Sequence, residues 1–184
     1  MCGKPVLSAI KKRDSESNSN GISFRTGFRD EQLIITLSPI ELMMQHRQLK
    51  SDSPEAGGML FARIEREKVT VTTVTTPQKR DKRGRFFFWP SLSRQQALID
   101  REFANGNHFV GEWHTHPQAV PEPSNLDLES MATCFIDSKH QLRNLVLIIV
   151  GTDDSCESLW VSLHNAKGFD KLSGGNQDES QTES

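Results

Sequence analysis

Apolar and polar positions along the chain fall into short blocks whose period changes from strand-like to helical and back. EQLIITLS, Glu31 to Ser38, reads as a strand. In PIELMMQHRQLK, Pro39 follows Ser38, a capping residue before a proline suited to a first turn, which predicts a helix over Pro39–Leu49. GGMLFARIE and VTVTTVTT are β-branched or apolar runs of strand length, and the polar REK between them predicts a hairpin. FFFW predicts another strand. SLSRQQALIDREFANG, from Ser91, has polar caps at its start, apolar Leu92, Ala97, Leu98 and Phe103 near helical spacing, and Gly106 as a stop, so it predicts a second helix. After it come the strand HFVGEWHTH, a third helix over Asn125–His140, the apolar run LRNLVLIIV and the alternating strand SLWVSLHN. Helices interleaved with strands, some of them hairpin-linked, predict an α/β sandwich around a mixed sheet.

The ends lack such blocks. Lys11 to Asn20 is charged and rich in Ser and Asn, and KLSGGNQDESQTES from Lys171 has the same character. Disordered tails are therefore expected over residues 1–23 and 170–184, flanking one folded domain over 24–169. A length of 184 residues suits one domain with a sizeable core better than two. A hydrophobic fraction of 35% and a net charge of −2 are ordinary, and supply no global field for nucleic acid or an anionic membrane. No apolar run reaches the roughly 18 residues of a membrane span, and the N-terminus lacks the order of a signal peptide, so a cytoplasmic location is expected. Cys2, Cys134 and Cys156 form no C-x-x-C pair, which argues against a disulfide framework and a cysteine-based zinc cluster.

Candidate chemistry concentrates in GEWHTHPQAVPEPSNLD, Gly111 to Asp127. His114 and His116 are two apart on a strand and project to the same side, where two imidazoles can meet one ion. Pro117, Pro121 and Pro123 end the strand and stiffen the return, which brings Ser124 and Asp127 to the start of the third helix. Two histidines and the Asp127 carboxylate with an open fourth position form the ligand set of catalytic zinc. SNLD is also the spacing of a helix capping box, in which Ser124 and Asp127 serve the helix rather than an ion. Competing metal motifs are absent: the chain has no H-E-x-x-H and no H-x-E with P-C-x-x-C, and Gln118 follows Pro117 where an H-x-H-x-D-H hydrolase needs aspartate.

His114, His116, Ser124 and Asp127, in that order and spacing, resemble the H-x-H-x₇-S-x₂-D signature of the JAMM (MPN+, JAB-domain) metalloproteases, and GEWHTHP looks like that family's lead-in. SPEAGGMLFAR matches the family's upstream glutamate before a glycine-rich strand, which carries that role to Glu55. The resemblance covers about Glu31 to His164. It implies the JAMM α/β sandwich, related in architecture to the cytidine deaminases, with Zn²⁺ held by His114, His116 and Asp127. Glu55 would serve as general base and then acid, and Ser124 as hydrogen-bond donor to the developing oxyanion. The implied substrate is a protein with an extended C-terminal tail. One candidate is a cGAS-like nucleotidyltransferase (CD-NTase), deconjugated in CBASS antiphage defence in functional partnership with E1- and E2-like enzymes. Another is a ubiquitin-like or sulfur-carrier protein. A silent MPN scaffold that only binds partners is the alternative of a different class.

Among the remaining polar residues, Glu112 falls on the same strand face as His114 and His116, in a supporting or merely flanking position. His46, His108, His140 and His164 have no motif around them. KRDKRGR, Lys79 to Arg85, reads as a solvated loop, or as a grip on an acidic or extended substrate tail. Cys134 reads as a small core residue of the third helix.

Overall fold

The computed structural model describes residues 21–174 apart from 29, 30, 156 and 157, so most of both expected tails, with Cys2 and Cys156, lies outside the described residues. In chain order the elements are β1 (Gly21–Arg25), β2 (Gln32–Thr36), α1 (Leu37–Met44), β3 (Gly57–Ile64), β4 (Lys68–Val74), β5 (Lys82–Gly84) and β6 (Phe87–Trp89). They continue with α2 (Leu92–Ala104), β7 (His108–Thr115), α3 (Asn125–Asp137), β8 (Leu145–Val150), β9 (Leu159–Asn165) and β10 (Gly168–Lys171). Eight strands form one sheet in the order β1-β2-β4-β3-β7-β8-β9-β10, while β5 and β6 make a separate hairpin. The β2–β4 and β7–β8 pairs are parallel and the others antiparallel, so the sheet is mixed, as the interleaved pattern predicts.

The apolar run at β8 explains itself once both sheet faces are seen. Val146, Ile148 and Val150 join Ile35, Leu60 and Trp113 in a core that α1 covers with Ile40, Met43 and Met44. Leu145, Leu147 and Ile149 point the other way and join Met131 of α3 and Trp160 of β9. A strand covered on both faces needs no polar alternation, whereas β9 keeps Ser162 and His164 on its α3 side. Among the described residues, no helix is long and apolar enough to cross a membrane.

Several boundaries differ from the sequence reading. The α1 helix starts two residues early, with Thr36 rather than Ser38 at its N-cap, and the Thr36 hydroxyl makes no cap bond because it donates to the Val71 carbonyl. It stops at Met44 rather than Leu49 because tertiary hydrogen bonds take over: Arg47 turns back to the Met44 carbonyl and reaches Asp153, and buried Gln48 bonds Ser53 and Arg85. Helix α3 ends at Asp137 rather than His140, whose Nε2 lies 3.0 Å from the Phe135 carbonyl oxygen. Three short strands, β1, β5 and β10, escape the pattern; the sheet starts at Gly21, and Leu172, beyond the expected limit, is buried.

His164 gives the fold a titratable core position. It is 3% exposed, and its Nε2 lies 2.9 Å from Ser162 Oγ, which accepts a bond from Trp160 Nε1. Burial holds the His164 pKa down to about 4. The unfolded chain binds this proton near pH 6.5, so the stability contributed by neutral His164 is present above that pH and is lost as pH falls toward 4. Over the whole window the loss approaches about 3 kcal/mol. Denaturation midpoints measured at pH 7 and pH 5 should differ less in His164→Gln than in the native chain, whatever the variant costs at pH 7. Equal differences would rule this origin out.

Candidate active site

The site lies where β7 and β8 end and β3 begins, and a bulge decides which way its side chains face. Leu60 pairs with Gly111 and Phe61 with Phe109, leaving Val110 as the extra residue. Gly111 has φ +146°, and a Cβ there would come within 1.9 Å of the Val146 carbonyl oxygen, so only glycine fits. The bulge switches the strand's phase: Val110 and Trp113 both enter the α1-side core, and His114 turns toward the start of α3.

Helix α3 meets the histidines with Asp127. His114 Nε2 and His116 Nε2 lie 3.2 Å apart, and each is 3.4 Å from an Asp127 carboxylate oxygen. The capping box read from SNLD forms as well: Asp127 Oδ2 accepts from the Ser124 amide and hydroxyl, both at 2.7 Å, and the Asp127 amide donates to Ser124 Oγ at 3.2 Å. The two readings of this spacing are therefore compatible, because one carboxylate serves the helix through Oδ2 while Oδ1 faces His114.

Glu55 comes from the turn before β3. Its carboxylate and the two imidazoles offer donor atoms within 4.8 Å of one another. The Glu55 amide donates to the Gly84 carbonyl at 2.7 Å, and its carbonyl accepts from Arg83 Nε at 2.6 Å, both on the β5–β6 hairpin side. The next residue, Ala56, is tied to the other side: its amide donates to Thr115 Oγ1 and its carbonyl accepts from the Thr115 amide. Thr115 Oγ1 donates in turn to Gln48 Oε1.

The two carboxylates sit in different electrostatic settings. Burial, assisted by the Asp127 charge, pushes the Glu55 pKa up to about 7 against the pull of His116 and Arg83. Burial works the same way on Asp127, but hydrogen bonds from His114, His116 and Ser124 outweigh it and hold the carboxyl well below the usual range. Burial lowers the His114 pKa, favouring the neutral ring, whereas at His116 hydrogen bonding and charge from Asp127 overcome burial and raise it. Asp127 is thus a standing anion and Glu55 a group able to gain or lose a proton near neutrality. Two imidazole nitrogens beside an anionic carboxylate make a donor set that fits a divalent metal ion with a position left open.

The site opens into a groove of about 1580 Å³. Phe86 and Trp89 at the hairpin are 70% and 56% exposed, and Leu126 on α3 is 59% exposed, so apolar surface faces the groove from opposite walls. The Phe87 and Trp89 rings are tilted against each other by 39°, their centroids 4.7 Å apart. The hairpin sits close over β3: a Cβ on Gly57 would meet the Phe88 ring at 2.5 Å.

Glu112 opens into the same groove, with its pKa raised by burial, and no hydrogen bond joins it to either site histidine among the described residues. The other histidines have local partners: His46 lies 5.9 Å from Trp113 and His108 5.4 Å from Phe103, between ring centroids. Cys134 is half-buried, its Sγ 3.8 Å from Ser138 Oγ. KRDKRGR is more than a solvated loop: Lys82–Gly84 is strand β5, Asp81 accepts the Ser91 amide, and Arg83 binds Glu55. Gln48 and Arg83 are site-building residues that no motif marks, because their bonds go to backbone carbonyls far away in sequence.

Comparison with known proteins agrees with this arrangement. A protein named CD-NTase/cGAS isopeptidase from Enterobacter hormaechei subsp. hoffmannii (strain UCI 50) is 31% identical over 143 residues, covering 77% of this chain and 79% of its own length. One of the same name from Escherichia coli (strain TW11681) is 26% identical over 158 residues, covering 84% and 96%. A solution structure of a protein from Desulfitobacterium hafniense shares the fold at 22% identity, with a TM-score of 0.51 over 74% of this chain and 87% of the other. Residues 38–162, which span both histidines, Ser124, Asp127 and Glu55, match the prokaryotic homologs of the JAB domain, and the chain belongs to that family.

Proposed function

We propose that this chain is a zinc-dependent isopeptidase that hydrolyses the amide bond after the C-terminal residue of a conjugated CD-NTase, acting in CBASS defence beside E1- and E2-like enzymes. The observation that carries the chemistry is geometric: Asp127 carboxylate oxygens lie 3.4 Å from His114 Nε2 and His116 Nε2, and Glu55 brings a second carboxylate within 4.8 Å of the same two imidazoles. The names of the relatives support the substrate class.

His114, His116 and Asp127 would hold the zinc, which supplies a Lewis acid for the scissile carbonyl and lowers the pKa of bound water to about 7. Glu55, anchored by its backbone on both sides, takes the proton of the attacking water and returns it to the leaving amine. One carboxyl suffices for both transfers, because the proton taken from the water is the one the leaving amine receives. The groove walls receive the extended tail, and main-chain contacts along it fix the scissile carbonyl against the site.

Ser124 donates to the developing oxyanion by turning its hydroxyl from Asp127 Oδ2. Because the same hydroxyl caps α3, Ser124→Ala should lower stability by about 1 kcal/mol and also cut turnover per folded molecule by roughly 10²–10³. Loss of stability alone would leave Ser124 as a cap.

The substrate assignment is tested with a reporter joined by an amide bond to the C-terminal residue of a CD-NTase. Release at that junction is expected, and truncation of the tail by a few residues should stop it. Cleavage of casein at an equal rate would replace the assignment with general proteolysis.

A further inference from the structure

The hairpin that walls the groove is bonded directly to the residue proposed as base and, among the described residues, to no other member of the proposed constellation in the same way. The Glu55 amide donates to the Gly84 carbonyl and the Glu55 carbonyl accepts from Arg83 Nε, so both backbone polar groups depend on β5. Arg83 Nη2 adds a longer contact of 3.4 Å to the Pro54 carbonyl. One residue later the dependence changes, because both polar groups of Ala56 belong to Thr115, on the strand that carries the histidines. Glu55 is therefore the junction between two bodies. His114 and Thr115, by contrast, are held in β7 through its pairing with β8.

The same hairpin presents the groove's most exposed aromatic side chains, Phe86 and Trp89. Gln48 adds a second tie, since its Nε2 donates to the Arg85 carbonyl at 2.9 Å, and its Oε1 accepts from Thr115. A chain lying along Phe86–Trp89 thus meets the element that also holds the Glu55 backbone.

We infer that Arg83 is a positioning residue that couples occupancy of the groove to the placement of Glu55, so that substrate seated against the hairpin sets the base for proton transfer. The inference rests on the reading of Glu55 as base. A guanidinium suits this task because its planar fork holds two carbonyls, of Glu55 and Pro54, in one orientation. The cluster around it is cationic, so a plain charge effect on a substrate tail has to be separated from positioning. Lys82 provides the separation: it sits beside Arg83 on β5, is exposed, and lies outside the groove lining.

The experiment is steady-state cleavage of the tail–reporter substrate by the zinc-loaded full chain, comparing Arg83→Gln, Arg83→Lys, Lys82→Gln and Glu55→Gln, with zinc content measured on each. Arg83→Gln should lose roughly 10- to 100-fold in kcat, as expected when a reacting group is misplaced by about 1 Å, with KM within about twofold and zinc retained. Arg83→Lys, which keeps one donor near the Glu55 carbonyl, should recover part of that loss, and Lys82→Gln should match the native chain. A normal kcat in Arg83→Gln, a change confined to KM, or an equal loss in Lys82→Gln would overturn the coupling. Glu55→Gln distinguishes the two levels of the argument: if it turns over normally, the base assignment fails and this inference with it. If it is inactive while Arg83→Gln is normal, only the coupling fails.

Discussion

Glu55→Gln should lose at least about 10³-fold in turnover while keeping its fold and its metal. General acid–base catalysis by one positioned side chain contributes about 10²–10⁴, and Glu55 is asked to act twice, first as base and then as acid. Glu55 is 5% exposed and its pKa is raised to about 7 mainly by burial, so an amide of the same shape fits the space without desolvating a charge. The backbone bonds that place the residue, to Gly84 and Arg83, do not involve the side chain and survive the change. The expected variant is folded, metal-loaded and inactive. Metal analysis and a melting curve beside the cleavage assay check all three features. A variant that lost its metal would make Glu55 a ligand rather than a base, a reading its proximity to both imidazoles makes worth measuring.

The second large effect is expected at the ligands. His114→Ala should bring zinc content from about one per chain to near zero and abolish cleavage, because two remaining donors no longer form a three-ligand site. Asp127→Asn should weaken metal binding and also disturb the start of α3, since Oδ2 accepts two bonds from Ser124 and an amide can accept there but carries no charge. The contrast between the two variants separates ligand loss from loss of the helix start. His114→Ala should affect metal far more than α3, while Asp127→Asn affects both. Undiminished zinc in His114→Ala would remove the metal reading of the motif.

Much of this site could be read from the chain because its parts are local. His114 and His116 share a face through strand periodicity, and Ser124 and Asp127 share one through the first turn of a helix, so short spacings translate directly into proximity. That the two pairs meet depends on the β7–α3–β8 crossover, a connection the alternation of strand and helix also suggested. The bulge at Val110 was hidden, since Gly111 looks like any strand glycine until the Val146 carbonyl is found against it. Strands β5 and β10 were hidden for a different reason. KRG and GFDK carry no apolar alternation, and their pairing comes from a tight hairpin partner rather than from a buried face. Gln48 and Arg83 build the site through main-chain carbonyls, and a carbonyl has no sequence signature. The end of α1 was misplaced for the same reason, as Arg47 and Gln48 look helical but are drawn off by distant backbone acceptors.

On the proposed function, His114, His116, Asp127 and Glu55 make a metal-dependent amide hydrolase, and titration of zinc into metal-stripped protein, with release of the reporter from the CD-NTase C-terminus followed at each point, measures this. Cleavage should be absent at the start, rise in proportion to added zinc and level off at about one equivalent, while Glu55→Gln binds the same amount of zinc and releases nothing. Full release by the metal-stripped protein, or zinc bound at one equivalent with no cleavage by the native chain, would contradict it.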